Sequence, residues 1–464
     1  MAYRDFREFV SRLEAEGQLA RVKVEVGLEY EIGAICRKVL DASGPALLFE
    51  RPGGYSVPLV TNSLGTRQRY ALGLETTPDK LHQEWLRRTE HPIPPTMVKT
   101  GPCKENILLG DEVDLFKLPI PLWNALDQAP YITFPCHISR DPKTGERNCA
   151  MYRAMVHDRK TLGILSEPIR HLAMQRAKAS DKPFPVAIAL GLDPAIHMAA
   201  VASFPHGVDE MGMAGALRGA PVELVPCETI PLEVPAHAEV ILEGVIPPGV
   251  LREEGPFGEF TGYYGLRRPR SVIEIKAMTF RNNPMHQAVY QGRPPNEDCI
   301  VIGMPLEAEL MRMVTLPGIR GIHLTVGGAG GFNCVVAVEK RFEGYGKMVG
   351  MAILGTWEGR RIKHVIVVDE DIDPFNSTEV EWALATRVQP HRDVEIVKEM
   401  RGMTLDPSIS EAERDSGAVL TSKMIIDATR YDAKEFEIVC SPQVEAVQKV
   451  ERDWARYGIP LPVK

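Results

Sequence analysis

Glu254-Gly255-Pro256-Phe257-Gly258-Glu259 sets two carboxylates around a Gly-Pro-Phe-Gly turn that cannot continue a regular helix. Both acids can then face one cavity. Two carboxylates in a confined site push each other's pKa apart, so one can hold a proton while the other stays an ion-pair partner. An arbitrary glutamate pair would more often mark a solvated acidic loop. Here Phe257, Phe260, Tyr263 and Tyr264 make the segment unusually apolar for that.

Upstream of this turn, alternating or branched apolar segments recur at Ala46–Phe49, Tyr131–Ile138, Val186–Leu190, Val222–Val225 and Ala238–Leu242, and Val272–Phe280 follows it. Pro and Gly clusters separate them. At the start of the chain, Phe6, Phe9, Val10 and Leu13 fall at helical spacing within Asp5–Glu16, and Gly17 marks the stop. A large β-rich unit with helices around it is predicted. Downstream, a helix-like stretch over Leu306–Val314 follows the Pro-rich Arg293–Asn296 loop. After Pro317-Gly318 the pattern changes to strand, turn, strand, helix and strand, at His323–Val326, Cys334–Glu339, Tyr345–Leu354 and Lys363–Val368. This alternation predicts a smaller α/β unit. The run Gly327-Gly328-Ala329-Gly330-Gly331 precedes an alternating strand rather than a helix, so it reads as a hairpin turn and not as a phosphate cradle.

The 464 residues favour more than one domain, and the ordinary hydrophobic and charged fractions (44% and 25%) argue against disorder. A net charge of −8 offers no basic field for a polyanion, which argues against a nucleic-acid partner. Eight cysteines without paired spacing and without a signal peptide point to reduced thiols and a cytoplasmic protein, and no run has the length of a membrane span. Asn148-Cys149-Ala150-Met151-Tyr152-Arg153 leads through uncharged residues to one guanidinium. Such a group can grip a substrate carboxylate through two parallel hydrogen bonds, though residue types alone make a structural ion pair an equal reading.

At these residues the sequence resembles the UbiD decarboxylases over nearly its whole length, with the Glu254–Glu259 box as the most specific element. The resemblance implies an N-terminal flavin-binding domain containing a split β-barrel (1–302), a linking helix (303–317) and a smaller C-terminal α/β oligomerisation domain (318–464). It matches Arg153, Glu254 and Glu259 to the family's catalytic residues, with Glu259 as proton donor. Asn148, His171 and Glu210 match its metal ligands, a mixed oxygen and nitrogen set suited to Mn²⁺ or Mg²⁺. The implied cofactor is prenylated FMN, its phosphate tied through that ion and a neighbouring K⁺ or Na⁺. It would touch Asn148, Ala150, Met151, Tyr152, Arg153, Arg170, His171, Glu210 and Ile302. A UbiX-type flavin prenyltransferase would supply it, and at least a homodimer is implied.

One position departs from the pattern. Some members place a lysine against the cofactor phosphate where this chain has Trp357, and among Arg360, Arg361 and Lys363 we expect Lys363 to substitute. For the substrate, His286, Arg293 and Arg320 are expected to add polarity suited to a second carboxylate or a ring heteroatom, although Arg293 also reads as a structural cap of its loop. The expected reaction is reversible, non-oxidative decarboxylation of an aromatic, heteroaromatic or α,β-unsaturated acid. Furan-2,5-dicarboxylate and pyrrole-2-carboxylate stand ahead of phenolic or cinnamate-type acids. An FMN-dependent oxidoreductase on a split-barrel fold is the rival reading. It needs no glutamate pair beside a carboxylate-gripping arginine.

Overall fold

The protein was analysed as a computed structural model, which describes residues 3–166, 171–205, 207–415, 419–431 and 435–460. The opening helix is Phe6–Ala15. Asp5 caps it by accepting from Glu8 N–H, and Phe6, Phe9, Val10 and Leu13 are all buried. Each such side chain contributes roughly 1.5–3 kcal/mol by leaving water.

An open ten-stranded antiparallel sheet forms the centre. Its main path runs Tyr131–Ile132, Ala154–Asp158, Thr161–Ile164, Arg268–Phe280, Val240–Ile246, Phe184–Leu190, Cys136–Arg140 and Arg147–Met151. The end strands do not pair with each other, so no barrel closes. Leu251–Glu254, the strand that delivers the first glutamate of the box, pairs with the outer part of Arg268–Phe280 and sets Glu254 opposite Arg268. Alternation sorts the faces of the sheet. Ala187 and Ala189 pack toward the opening helix, whereas Val186, Ile188 and Leu190 fill a second core with Leu242 and Ile273. A four-stranded sheet, in the order Leu19–Val26, Ala46–Pro52, Leu59–Thr61 and His286–Gln287, flanks it.

The connecting helix is Glu297–Met313, starting well before the predicted stretch. Asn296 explains the earlier start, because its side chain accepts from Cys299 N–H and Glu297 and Asp298 occupy the first turn. The helix carries Pro305 in its interior. Beyond it lies a five-stranded sheet in the order Ile319–Leu324, Asn333–Val338, His364–Asp369, Leu420–Ala428 and Val394–Arg401, with the helix Tyr345–Leu354 packed on it. The glycine run is a turn between two antiparallel strands.

Glu307 joins the parts. One carboxylate oxygen meets Arg67 Nη1 at 2.8 Å and His82 Nε2 at 2.6 Å, while the other meets His323 Nδ1 at 2.7 Å and accepts from Leu324 N–H at 2.9 Å. Thus a buried acid on the connecting helix ties two early helices, Arg67–Gly73 and Leu81–Arg88, to the first strand of the C-terminal sheet. Among the described residues no helix is long and apolar enough to cross a membrane.

Candidate active site

Glu254 ends its strand, and the chain turns at Gly255. The turn requires glycine twice over, because φ is +86° and an added Cβ would stand 2.8 Å from Leu266 O. Phe257–Gly258 then pairs with Tyr264–Gly265, a short hairpin that places Glu259 at its tip, with Glu259 N–H donating to Tyr263 O. Gly265 leaves room for this acid, since a Cβ there would lie 2.9 Å from Glu259 Oε1. Asp127 fixes the hairpin by accepting from Gly258 N–H at 2.7 Å and Asn124 N–H at 2.9 Å. Burial raises the Asp127 pKa despite these bonds.

Arg153 lies between the strands Arg147–Met151 and Ala154–Asp158 and reaches both glutamates of the box. Its Nε and Nη2 donate to Glu254 Oε1 and Oε2 at 3.2 and 3.1 Å, and its Nη1 donates to Glu259 Oε1. All three side chains are buried, at 8%, 1% and 7% exposure for Arg153, Glu254 and Glu259. Burial works against the guanidinium charge, but the two carboxylates more than offset it and raise the Arg153 pKa. The guanidinium also stands 5.1 Å from the centre of the Phe257 ring. Tyr131 completes the group through its hydroxyl, which donates to Glu254 Oε1.

These residues border a cavity of about 200 Å³ whose walls include Met151, Tyr152, Arg153, Glu259 and Ile302. The opposite end of the chain supplies further wall, through Arg360, Arg361 and the segment Arg401–Leu405.

Asn148 lies three residues before Met151, and Glu210 bonds to the backbone of the residue after Asn148. Glu210 opens the helix Glu210–Arg218 and accepts from Cys149 N–H at 2.9 Å. His171 opens the helix His171–Lys178, which is tethered to the Asn148 strand by hydrogen bonds running from Asn148 Nδ2 to Ser139 Oγ (3.4 Å) and from Ser139 to Gln175 Oε1 (2.7 Å). Asn148 Oδ1 is buried without a hydrogen-bond partner, and burial pushes the Glu210 carboxyl up to about 7. An orphaned amide oxygen and a desolvated carboxyl are donor types that a divalent cation takes. Among the described residues no three His, Cys, Asp or Glu side chains gather as a cation site, so the amide oxygen would be an essential member.

Profiles of 3-octaprenyl-4-hydroxybenzoate carboxy-lyase match nearly the whole chain. The N-terminal domain matches residues 10–89, the Rift-related domain 96–294 and the C-terminal domain 299–428. The chain belongs to the UbiD family. Its solved relatives include the UbiD-class enzyme HmfF from Pelotomaculum thermopropionicum in complex with FMN, with 38% identity over 96% of this chain and 99% of that one, and a TM-score of 0.88. Vanillic acid decarboxylase from Sedimentibacter hydroxybenzoicus shares 34% identity over 98% and 100% of the two chains, at a TM-score of 0.86. An uncharacterized protein of Archaeoglobus fulgidus is 37% identical over 98% of both chains.

Within this UbiD chain the expected substrate residues are not among those that line the cavity. His286 sits on the short strand that pairs with Leu59–Val60, fully buried, with both ring nitrogens lacking a partner and its pKa lowered to about 4 by burial. Arg293 is exposed, and its carbonyl accepts from Arg37. Arg320 points from the C-terminal sheet toward Glu339 and Glu370. Arg293 thus faces solvent and Arg320 is taken up by local acids, whereas the His286 imidazole is buried without a partner. Lys363 likewise turns to Asp406 (3.0 Å) and Ser408 Oγ (2.7 Å), and Arg360, Arg361 and Arg401 are the cations of the C-terminal wall. Arg170 lies outside the described residues.

The sequence reading missed Tyr131, Gln291, Asp298 and Arg401–Leu405. Tyr131 was legible only as a strand residue. Asp298 fell between the Pro-rich loop and the predicted helix and carried no local signal.

Proposed function

We propose that this protein removes CO2 from an aromatic or heteroaromatic acid, with prenylated FMN as cofactor. The observation that carries the reading is Arg153, held at the cavity wall by Glu254 and Glu259 together. Asn148, His171 and Glu210 would hold Mn²⁺ or Mg²⁺ at the cofactor phosphate, with K⁺ or Na⁺ beside it. Ala150, Met151, Tyr152, Arg153 and Ile302 would line the flavin. Prenylated FMN, when bound, supplies the electron sink for the charge left as CO2 departs.

The residues of the chain do the rest. Arg153 uses three N–H groups on the glutamates, leaving N–H on Nη1 and Nη2 to orient the substrate carboxylate. The bond to the carboxyl carbon breaks, its electrons stay with the substrate, and Glu259 delivers a proton to the carbon that lost CO2. Glu254, fixed by Tyr131, keeps the guanidinium in place. The same residues serve carboxylation, because a catalyst lowers one barrier for both directions.

At least a homodimer is proposed, in a cytoplasmic setting, with a UbiX-type prenyltransferase as the supplier of cofactor. Of the two heteroaromatic acids considered above, pyrrole-2-carboxylate is proposed ahead of furan-2,5-dicarboxylate, because His286, Arg293 and Arg320 do not line the cavity. The test is to co-express the protein with a flavin prenyltransferase, measure the mass and absorbance of the bound cofactor, and follow CO2 release from a panel of acids. Glu259→Gln is expected to lose about 10²–10⁴-fold in turnover. Unmodified FMN, oxidation of NAD(P)H and no CO2 release would favour a flavin oxidoreductase instead.

A further inference from the structure

Asp298 lies in the first turn of the connecting helix and lines the cavity beside Glu259, Gln291 and Ile302. It is 3% exposed, and its Oδ2 is buried with no hydrogen-bond partner. The neighbouring Gln291 side chain favours the ionised carboxyl, but Oδ2 itself has no donor. A buried carboxyl oxygen without a partner is costly, and at a cavity wall a bound ligand is the natural source of the missing donor.

We infer that Asp298 is a specificity-determining residue, whose free oxygen accepts a hydrogen bond from an N–H or O–H carried on the ring of the substrate acid. This deepens the decarboxylase reading above and rests on it. The substrate class is therefore an aromatic acid with a ring donor, either a pyrrole-type N–H or a phenolic hydroxyl. Three observations favour a donor over a second carboxylate. Asp298 feels the charge of both Glu297 and Glu259. Burial, ahead of these two charges, pushes its carboxyl up to about 8. Glu297, its neighbour, is likewise pushed up to about 7 by burial, so another anion against this wall would meet a region already starved of solvation for negative charge. When the carboxyl is ionised both oxygens accept, and a ligand donor at Oδ2 supplies the stabilisation that burial withholds from that ionised form.

The experiment uses the holoprotein and two matched pairs of acids, pyrrole-2-carboxylate against furan-2-carboxylate and 4-hydroxybenzoate against benzoate, with furan-2,5-dicarboxylate as a further arm. Binding is read by calorimetry and CO2 release is read separately. The member with the donor should bind at least about tenfold more tightly in one pair, and that pair identifies N–H or O–H as the group recognised. In Asp298→Leu the ratio within that pair should fall toward one, and Asp298→Asn, which keeps an acceptor oxygen, should restore it. Equal binding within both pairs of the unaltered protein would overturn the inference, and this needs no variant to fold. So would tightest binding of furan-2,5-dicarboxylate, or an equal loss for both members of a pair in Asp298→Leu. A binding preference without CO2 release from any acid would support the role of Asp298 and sink the decarboxylase reading.

Discussion

Tyr131 and Glu254 are joined by a hydrogen bond of 3.1 Å from the phenolic hydroxyl to Oε1, and the same hydroxyl accepts from Gly255 N–H at 3.2 Å. One oxygen thus orients the carboxylate and anchors the turn behind it. Removing it in Tyr131→Phe leaves Gly255 N–H and one carboxylate bond unmatched, at a cost of roughly 1–3 kcal/mol. Turnover should fall about tenfold with KM little changed, since Tyr131 acts through Glu254 and not on the acid directly. Steady-state kinetics beside a thermal melt separates this from simple loss of fold. An unchanged kcat would remove Tyr131 from the positioning role.

Glu307 predicts an acid limb in stability. Burial alone would raise its pKa, but His323, His82 and Arg67 outweigh it and hold the carboxyl well below the usual 4.5. A depressed folded pKa stabilises the fold above the unfolded value and loses that contribution as pH falls through the folded one. Glu307→Gln should therefore cost roughly 3 kcal/mol near neutrality. The gap to the unaltered protein should narrow steadily below about pH 4.5. Denaturant titrations at pH 7, 5 and 4 check this; a gap independent of pH contradicts it.

Asn148 offers its orphaned Oδ1 as a cation ligand, so Mn²⁺ with FMN should raise the melting temperature of the unaltered protein. Asn148→Leu should lose most of that shift and retain less than about a tenth of the metal affinity. Metal content by elemental analysis gives the second readout. A shift of the same size in the variant would place the ion elsewhere.

The helix Val444–Arg452 buries none of its residues in its own chain, and Val444, Val447 and Val450 are all exposed along it. Apolar side chains at this spacing seek another surface, and a second copy of the chain is the proposed one. Val447→Glu combined with Val450→Glu should lower the molar mass measured by light scattering without lowering the main melting transition. An unchanged mass would exclude this helix from assembly.

Much of this architecture could be read before any coordinates. Alternation and helical spacing depend on neighbours in the chain, so Phe6–Leu13, Val186–Leu190 and the helix Tyr345–Leu354 are visible locally. Where the reading slipped, backbone chemistry explains it. Tyr131–Ile138 divides into two strands around Pro135, which cannot donate to a ladder. The connecting helix begins at Asn296 because a cap, not periodicity, starts it. The Glu254–Glu259 box signalled its chemistry through composition, but Arg153 could be joined to it only by resemblance, since the two are brought together across the sheet. His286 and Arg320 show the converse limit. A polar residue type says nothing about which way its strand faces: His286 is buried on a short strand, and Arg320 turns to Glu339 and Glu370. Asp298 went unnoticed because burial, which makes it unusual, has no local trace.

The two ends of the chain contribute to one chamber in unequal ways. The acids and the guanidinium come from the central sheet, whereas Arg401–Leu405 arrives from a separately packed sheet with its own core. Mutations in that arriving loop can reshape the far wall without moving Glu259. What the chamber admits can thus be retuned from the loop, while the Arg153–Glu254–Glu259 group is left as it stands.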